Sequence, residues 1–583
     1  MELIRFINNF FPDIDTCQYD GYNYERSFTT PDNKSFNQLI SWPPNVFIIL
    51  YAIIEYSDKY RLLVSPQEHF IWKEAHTKFC DELVKSWTSY LEYSSETKGT
   101  FTDIDFSLQK HLDNIFNQKN FYTCIYELMN DNIFCESAFL LIISIDRLFY
   151  KKPGSDTHSR VFGAMMVRDL NYAIYAKENP TYDTSFINLA DNNPKSGVIA
   201  WKYNTPQSGL TLNNLTQNLT YIKPAVKYTH NINKVEKIKH EKNNYNILVI
   251  PWPFNVKDEY FTSSTIVNKN MDDYFDFFDY HPTDEFEMKH FLSFILSALK
   301  RVGTIDLIVF PECAISEHQF NTFTNKLYEI FNKNAPSLLS GVYGKNGETG
   351  INSAVLGFVG EDRLAFNKIV QEKHHRWFLD RNQLRNYNLA ASLNPGKKWW
   401  ENIAVGKRKL TTLETADGVI LCPLVCEDLA RQEPVAQAVR AVGPNLVVSL
   451  LLDGPQIAQR WPGKYAAVLS DDPGCSVLSV TALGMTQRAT GLGHAPSRDI
   501  ALWSEPGKPS ETLQVTSESG SLVLELELES VKMWSLDGRA EEKPILRKKM
   551  HTTCELEFKH KDARTLQKMI STILKAGENY EKR

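Results

Sequence analysis

Three side chains with complementary chemistry each follow a separate apolar run of this chain. Glu312 comes after the run 305–310, Lys373 ends the run 364–373, and Cys426 follows the run 419–425. A thiol can attack a carbonyl or nitrile carbon, and a carboxylate can take up its proton and pass it to the leaving amine. An ammonium group can stabilise the oxyanion that forms. The three residue types, in this order, indicate covalent chemistry at a carbon–nitrogen bond.

The apolar runs that precede these residues are of strand length, and Pro311 stops the first of them. Residues 284–302 carry helical periodicity before the first run, and residues 429–442 carry it after Cys426. A thiol at a strand–helix junction lies near the positive end of the helix dipole, which lowers a thiol pKa. We therefore expect Cys426 to be a nucleophile, against the alternative that it is a small buried apolar side chain.

Five short motifs in this half of the chain resemble those of the nitrilase, or carbon–nitrogen hydrolase, superfamily. They are Phe310-Pro311-Glu312, Asn352-Ser353-Ala354-Val355, Lys373-His374-His375, Pro395-Gly396 and Cys426-Glu427-Asp428. The strand-like runs 245–254 and 447–452 resemble the first strand of the family and the strand after the nucleophile. The resemblance covers residues 244–530, which is about half of the chain.

The resemblance implies an α/β fold, a nitrilase-like α-β-β-α sandwich. It implies hydrolysis of a non-peptide amide, in preference to a nitrile, through a thioester on Cys426, with Glu312 and Lys373 completing the catalytic triad. The expected partner is a small-molecule amide, no cofactor is implied, and family members usually form homo-oligomers. The alternative is a catalytically weak module that serves as a binding, assembly or signalling platform, in a multiprotein system such as antiviral defence.

Two features depart from the family pattern. Lys368 lies five residues before Lys373 and is an alternative catalytic lysine, although His374-His375 after Lys373 favours the latter. Many family members also carry a second glutamate downstream of the lysine. The nearest equivalents are Asp380, Gln383 and Glu401, none in a convincing context. Gln383 is the candidate replacement, and a glutamine there would put hydrolytic competence in doubt.

The stretch between Lys373 and Cys426 is rich in aromatic and basic residues. They are Trp377, Tyr387, Lys397, Lys398, Trp399, Trp400, Lys407 and Arg408. One interpretation is a solvated loop with partly buried aromatic rings. The other is a specificity loop for an anionic or flat substrate.

Other chemistries lack their sequence signatures. Cys422 and Cys426 are four residues apart, and no second pair of cysteines or histidines stands at metal-ligand spacing, so we predict no metal site. The sequence contains no Gly-x-Ser-x-Gly elbow and no phosphate-binding Gly-Lys-Ser/Thr loop. These gaps leave the Glu-Lys-Cys set as the source of the predicted activity.

Composition restricts the class of protein further. The 583 residues, 43% hydrophobic and 23% charged, predict several globular domains. The net charge of −6 disfavours a dominant nucleic-acid surface. Nine cysteines without a secretory leader predict a cytoplasmic protein. The apolar run 46–54 is too short to span a bilayer, so we expect no membrane partner.

We predict four regions along the chain. Residues 1–180 form a mostly α-helical domain of unknown role, which could bind a protein partner, and residues 181–243 form a polar connector. Residues 244–530 form the nitrilase-like domain. Residues 531–583 form a tail whose amphipathic helix, 563–576, docks on a partner or on the body of the protein.

Overall fold

The computed structural model describes residues 1–12, 14, 35–65, 68–96, 105–151, 156–178, 188–237, 243–265, 274–360, 366–406, 408–556 and 561–581. Contacts divide the chain into two compact units. Unit 1 comprises Met1–Thr229, Ala438–Gly443 and Lys532–Lys543, and unit 2 comprises His230–Gln437, Pro444–Val531 and Pro544–Arg583.

Unit 1 is mainly helical, as the periodicity of residues 1–180 predicts. Its helices are α1 (Leu3–Phe10), α2 (Phe36–Ile40), α3 (Pro43–Ser57), α4 (Glu74–Glu96), α5 (Phe106–Ile115), α6 (Gln118–Phe121), α7 (Ile125–Leu128), α8 (Asn132–Leu148) and α9 (Asp156–Glu178). Helix α8 begins after Asp131, whose carboxylate accepts a hydrogen bond from the Phe134 N–H. The apolar faces of these helices enclose one core.

The described residues of the predicted polar connector belong to unit 1 as far as Thr229. They contain a two-stranded sheet. The strands are β1 (Val198–Trp201) and β2 (Leu219–Ile222). The N–H groups of Gln217, Asn218 and Leu219 donate to the carboxylate of Asp146, which is fully buried. The polar composition reflects buried hydrogen bonding, and the segment differs in this from a solvated linker.

Residues 532–543, placed by sequence in the C-terminal tail, also belong to unit 1. Arg539 donates to the Asp146 carboxylate at 2.5 Å, and Lys543 donates to the carbonyl oxygen of Gln217 at 3.1 Å. Burial lowers the pKa of Lys543, against the pull of the Glu541 carboxylate. Unit 1 therefore contains a buried network of charged groups whose members lie far apart in sequence.

The strands after β2 form three further sheets. They are β3 (Lys227–Asn233), β4 (Asn244–Val249), β5 (Phe261–Ser263), β6 (Phe275–Tyr280), β7 (Leu307–Val309), β8 (Ile315–Ser316), β9 (Ser337–Asn346), β10 (Thr349–Val359), β11 (Phe366–Glu372), β12 (Phe378–Leu379), β13 (Lys398–Glu401), β14 (Lys409–Thr415), β15 (Ile420–Val425), β16 (Leu446–Leu451), β17 (Ser476–Thr481), β18 (Asp499–Ser504), β19 (Glu511–Gln514), β20 (Ser519–Trp534) and β21 (Ala540–Glu555). Sheet A has the order β11-β10-β9-β7-β4-β20-β21 with β8 beside β9, sheet B the order β19-β18-β17-β16-β15-β14-β3, and sheet C the order β12-β13-β6-β5.

The later helices are α10 (Met288–Val302), α11 (Glu317–Phe331), α12 (Arg381–Asn386), α13 (Gln437–Val442), α14 (Trp461–Asp471), α15 (Leu483–Arg488) and α16 (Ala563–Glu581). The predicted C-terminal helix is present as α16. It docks on unit 2, because Leu566 and Ile570 are buried in one cluster with Phe291 and Leu299 of α10.

Unit 2 is built around a sandwich of sheets A and B. One apolar cluster joins Ile247 and Leu307 of sheet A to Leu421, Val448 and Leu478 of sheet B. A second cluster lies on the other face of sheet A, where alternate strand residues pack against α10, α11 and α16. Helix α14 packs on β17 and β18 of sheet B. The predicted α-β-β-α sandwich, together with a largely helical region, is confirmed.

Within the described ranges, no helix is both long and apolar enough to cross a membrane.

Candidate active site

Glu312, Lys373 and Cys426 each lie just beyond the end of a strand. Glu312 follows β7 in sheet A, Lys373 follows β11 in the same sheet, and Cys426 follows β15 in sheet B. Their side chains are almost completely buried. The predicted strand-end placement of all three is therefore observed, and the face-to-face sheets bring their ends to one region.

Lys373 is the centre of a buried ion cluster. Its ammonium group lies 2.7 Å from Glu312 Oε1 and 2.6 Å from Glu401 Oε2. The Asn352 side-chain amide donates to both glutamates, at 2.7 Å to Glu312 and 2.6 Å to Glu401. One cation and one amide thus fix two carboxylates.

Of Asp380, Gln383 and Glu401, the three residues nearest to the family's second glutamate in sequence, Glu401 is the one that contacts Lys373. It ends β13, and its Oε2 also accepts a hydrogen bond from the Trp377 N–H at 2.9 Å. The interpretation of Gln383 as a replacement for the second glutamate is wrong, because the Gln383 side chain forms a capping box with Asp380 at the start of α12. Alternation with Trp399 puts the Glu401 side chain on the buried face of β13, but this local pattern does not identify the residues that Glu401 contacts.

The alternative lysine, Lys368, does not join this cluster. It lies within β11 with a side chain that is 34% exposed, and its ammonium group is 3.7 Å from Glu317. Lys373 is the lysine that faces Glu312.

Electrostatics favour a proton on the thiol and a charge on the lysine in the unliganded site. Burial and the negative charge of Glu312 raise the pKa of Cys426 well above its usual range, although Lys373 opposes this. Burial disfavours the charged form of Lys373, but the carboxylates of Glu312 and Glu401 outweigh it and raise its pKa. Burial raises the pKa of Glu312 against the pull of Lys373. Glu312 is therefore a stronger base than an ordinary glutamate.

The low thiol pKa expected from a helix N-terminus is wrong. Cys426 begins a short 3₁₀ turn, Cys426–Leu429, and in the predicted helix 429–442 only α13 is regular α-helix. The φ angle of Cys426 is 46°, a left-handed conformation that non-glycine residues seldom adopt. Such strain is typical of functional positions.

Asp428 ties the cysteine turn to the lysine segment. Its carboxylate accepts the His374 N–H at 3.0 and 3.1 Å, and it lies 2.8 Å from His375 Nδ1. The carboxylate is buried, so these bonds hold the main chain beside Lys373 in register with the turn at Cys426. The predicted motifs around Lys373 and Cys426 therefore contact each other directly.

A glycine of the neighbouring strand makes room for the Glu312 turn. Gly341 of β9 accepts the Ala314 N–H at 2.9 Å and donates to the Pro311 carbonyl at 3.0 Å. A Cβ atom at Gly341 would lie 2.4 Å from backbone atoms of Pro311, Glu312 and Cys313. Only glycine fits at this approach of two backbones.

We expect Gly341→Ala to displace Glu312 and to reduce both stability and activity. The backbone of the turn must move, because a 2.4 Å contact with three backbone atoms cannot be relieved by a side-chain rotation. Overpacking of this kind costs about 1–3 kcal/mol in the free energy of unfolding. Gly344→Ala on the same strand is the matched control, since its Cβ would meet side-chain atoms no closer than 3.7 Å. Urea unfolding of both variants checks this, and equal losses would contradict it.

The described residues contain no group of three or more His, Cys, Asp or Glu side chains placed to hold a metal ion. Glu312 Oε2 is buried and has no hydrogen-bond partner among the described residues. This oxygen is free to accept a proton. A carboxylate with one free oxygen, a charged lysine and a thiol, all secluded from solvent, are suited to nucleophilic attack on a carbonyl carbon.

No protein-family model matches the chain, and no curated protein matches it in sequence. Among solved structures, Saccharomyces cerevisiae Nit3, a member of branch 10 of the nitrilase superfamily, matches 57% of this chain and 96% of its own, at 14% identity and a TM-score of 0.26. XC1258 from Xanthomonas campestris, a CN-hydrolase superfamily protein, matches 56% of this chain and 93% of its own, at 14% identity and a TM-score of 0.25. The C. elegans NitFhit protein matches 56% of this chain and 63% of its own, at 13% identity and a TM-score of 0.28.

These matches cover about half of the chain.

Proposed function

We propose that unit 2 hydrolyses a carbon–nitrogen bond of a small non-peptide amide through a thioester on Cys426. The observation that carries the proposal is the cluster of Glu312, Lys373 and Glu401, with the thiol of Cys426 under the electrostatic influence of the first two. Each group has the chemistry that one step of the reaction requires.

In the first half of the reaction, Cys426 Sγ attacks the carbonyl carbon while its proton passes to Glu312. The carbonyl oxygen becomes an oxyanion, which the Lys373 ammonium stabilises. Glu312 then gives its proton to the leaving nitrogen, the carbon–nitrogen bond breaks, and a thioester remains. In the second half, Glu312 takes a proton from water and the hydroxide attacks the thioester carbon. The carbon–sulfur bond breaks, Glu312 returns the proton to Cys426 Sγ, and the acid is released.

Glu401 is proposed as a positioning residue. It accepts a hydrogen bond from Lys373, as Glu312 does, and shares the Asn352 amide with Glu312. Two carboxylates keep the ammonium charged in a site without solvent, so that the lysine cannot act as a base and remains an electrostatic catalyst.

The alternative of a catalytically weak platform depended partly on a missing second glutamate. We propose Glu401 for that role, because its carboxylate lies 2.6 Å from Lys373 Nζ, and this removes the reason. The large helical unit is the remaining feature in favour of a platform, and its role as a partner-binding domain stays a prediction, as do a homo-oligomer and a part in antiviral defence.

The experiment that tests the proposal combines turnover with chemical labelling. Ammonia release from a panel of primary amides measures hydrolysis, and acid quenching followed by peptide mass mapping detects an acyl group on Cys426. Iodoacetamide, itself a primary amide, should alkylate Cys426 ahead of the buried thiols Cys422 and Cys475. No ammonia release from any amide, together with no preference for Cys426, would favour the platform.

A further inference from the structure

Sheet C presents a row of aromatic rings on one face. Phe378 pairs with Trp400, and Trp400 pairs with Phe277, so the three side chains stand side by side across β12, β13 and β6. In the next row Lys398 pairs with Phe275. Paired residues of neighbouring strands point to the same side of a sheet. The rings of Phe378 and Trp400 are 4.5 Å apart between centroids.

The two faces of sheet C differ in burial. The residues that alternate with the ring residues along each strand point to the opposite face. Among them, Leu379, Trp399 and Phe278 are buried in an apolar cluster of unit 2. On the other face the ring of Trp400 is 36% exposed. Large exposed aromatic side chains in one group mark binding surfaces more often than structural ones.

Two cations lie among these rings. Lys398 Nζ is 5.8 Å from the centroid of Phe275 and 5.9 Å from that of Phe378, and the guanidinium of Arg376 is 5.6 Å from that of Phe277. Within the described residues neither cation has an ion pair, although Arg376 donates to the Ile403 carbonyl at 2.8 Å.

The carboxylate on the same side of β6 as Phe277 does not neutralise the two cations. Asp279 lies 3.2 Å from Lys345 Nζ and accepts a hydrogen bond from the Asn402 amide at 2.7 Å. The face therefore combines flat rings with positive charge that remains available to a ligand.

We propose that this face of sheet C binds a nucleotide. The base would stack on Trp400 and Phe378, and the phosphate groups would contact Lys398 and Arg376. Rings with adjacent cations complement the planar base and the negative charge of one molecule. Within the aromatic and basic stretch of the sequence, Lys398, Trp399 and Trp400 therefore lie in a strand and not in a solvated loop, while Lys407 lies outside the described residues.

A free nucleotide fits better than a nucleic-acid strand. A strand is held through many phosphate contacts, and two cations can neutralise only about two phosphates. The net charge of −6 also disfavours binding of a nucleic-acid strand. The proposal does not depend on hydrolysis at Cys426, because it uses only the outward side chains of sheet C.

The test uses the full-length protein, ATP as the probe, and calorimetric titration. Trp400→Ala should weaken ATP binding about tenfold or more, since a base loses its stacking partner. Lys398→Gln should weaken binding and reduce its dependence on salt. Trp534→Ala is the matched control, because Trp534 is also exposed, at 56%, but lies in unit 1. Its affinity for ATP should equal that of the unchanged protein.

Comparison ligands separate the possible outcomes. Adenosine and inorganic tripolyphosphate should each bind more weakly than ATP, because each supplies half of the recognised chemistry. Phe378→Leu serves as a second variant if Trp400→Ala does not fold, and it should also weaken binding. The proposal is overturned if ATP does not bind at millimolar concentration, if both ring variants bind it unchanged, or if a twelve-residue oligothymidylate binds more tightly than ATP.

Discussion

Replacement of Lys373 by alanine is expected to reduce the rate of amide hydrolysis by at least about 10²–10³-fold, the value of one oxyanion-stabilising group. It should also lower the free energy of unfolding by about 3–5 kcal/mol, because removal of one partner from a buried ion pair leaves the other charge uncompensated. Here two carboxylates lose their shared cation, at 2.7 and 2.6 Å. Ammonia release and urea unfolding measure the two effects.

Lys368→Ala is the control for this prediction. Lys368 belongs to the same strand, β11, but its side chain is partly exposed and its contact with Glu317 is a surface pair. Its loss should change the free energy of unfolding by no more than about 0.5 kcal/mol and leave the rate nearly unchanged. If Lys368→Ala proved the more harmful variant, the catalytic lysine would have to be reassigned.

Replacement of Cys426 by alanine should abolish turnover, with a rate loss of about 10⁴-fold or more, since no other group can form the thioester. The fold should tolerate the change, because alanine removes one sulfur atom and no hydrogen-bond partner of the described structure. The acyl adduct seen by mass mapping should disappear as well. Thermal unfolding and ammonia release are the measurements.

Cys422→Ala is the matched control on the same strand. Cys422 is fully buried within β15, and burial raises the pKa of its thiol to about 12. Since it lies away from the Glu312–Lys373 cluster in the middle of the strand, its loss should lower stability modestly and leave the adduct on Cys426. Retained turnover in Cys426→Ala, with loss in Cys422→Ala, would show that the nucleophile has been misplaced.

The core of the site was predictable because its residues stand at strand ends. Alternating and continuous apolar runs located β7, β11 and β15, and strands that share a sandwich bring their ends together. Local pattern thus nominated Glu312 and Cys426, whereas the choice of Lys373 over Lys368 rested on the resemblance of Lys373-His374-His375 to the family motif.

Glu401 and the pKa of Cys426 were not predictable in this way. Glu401 is placed by the pairing of β13 with β6, whose residues lie more than a hundred positions earlier, and no local pattern encodes that pairing. The thiol pKa depends on burial and on Glu312, which tertiary structure decides. The polar segment around Gln217 misled for a related reason, because its partner Asp146 is 71 residues away.

The bond between Arg539 and Asp146 has a consequence for the order in which the protein can be made. The two residues are 393 positions apart, so a ribosome that adds about 5–20 residues per second needs roughly 20–80 s to pass from one to the other. During that interval the nascent unit 1 contains Asp146, but Arg539, which donates a hydrogen bond to its carboxylate, has not yet been synthesised. Completion of unit 1 must therefore wait until Arg539 has been synthesised, and chaperones have that period in which to bind the incomplete unit.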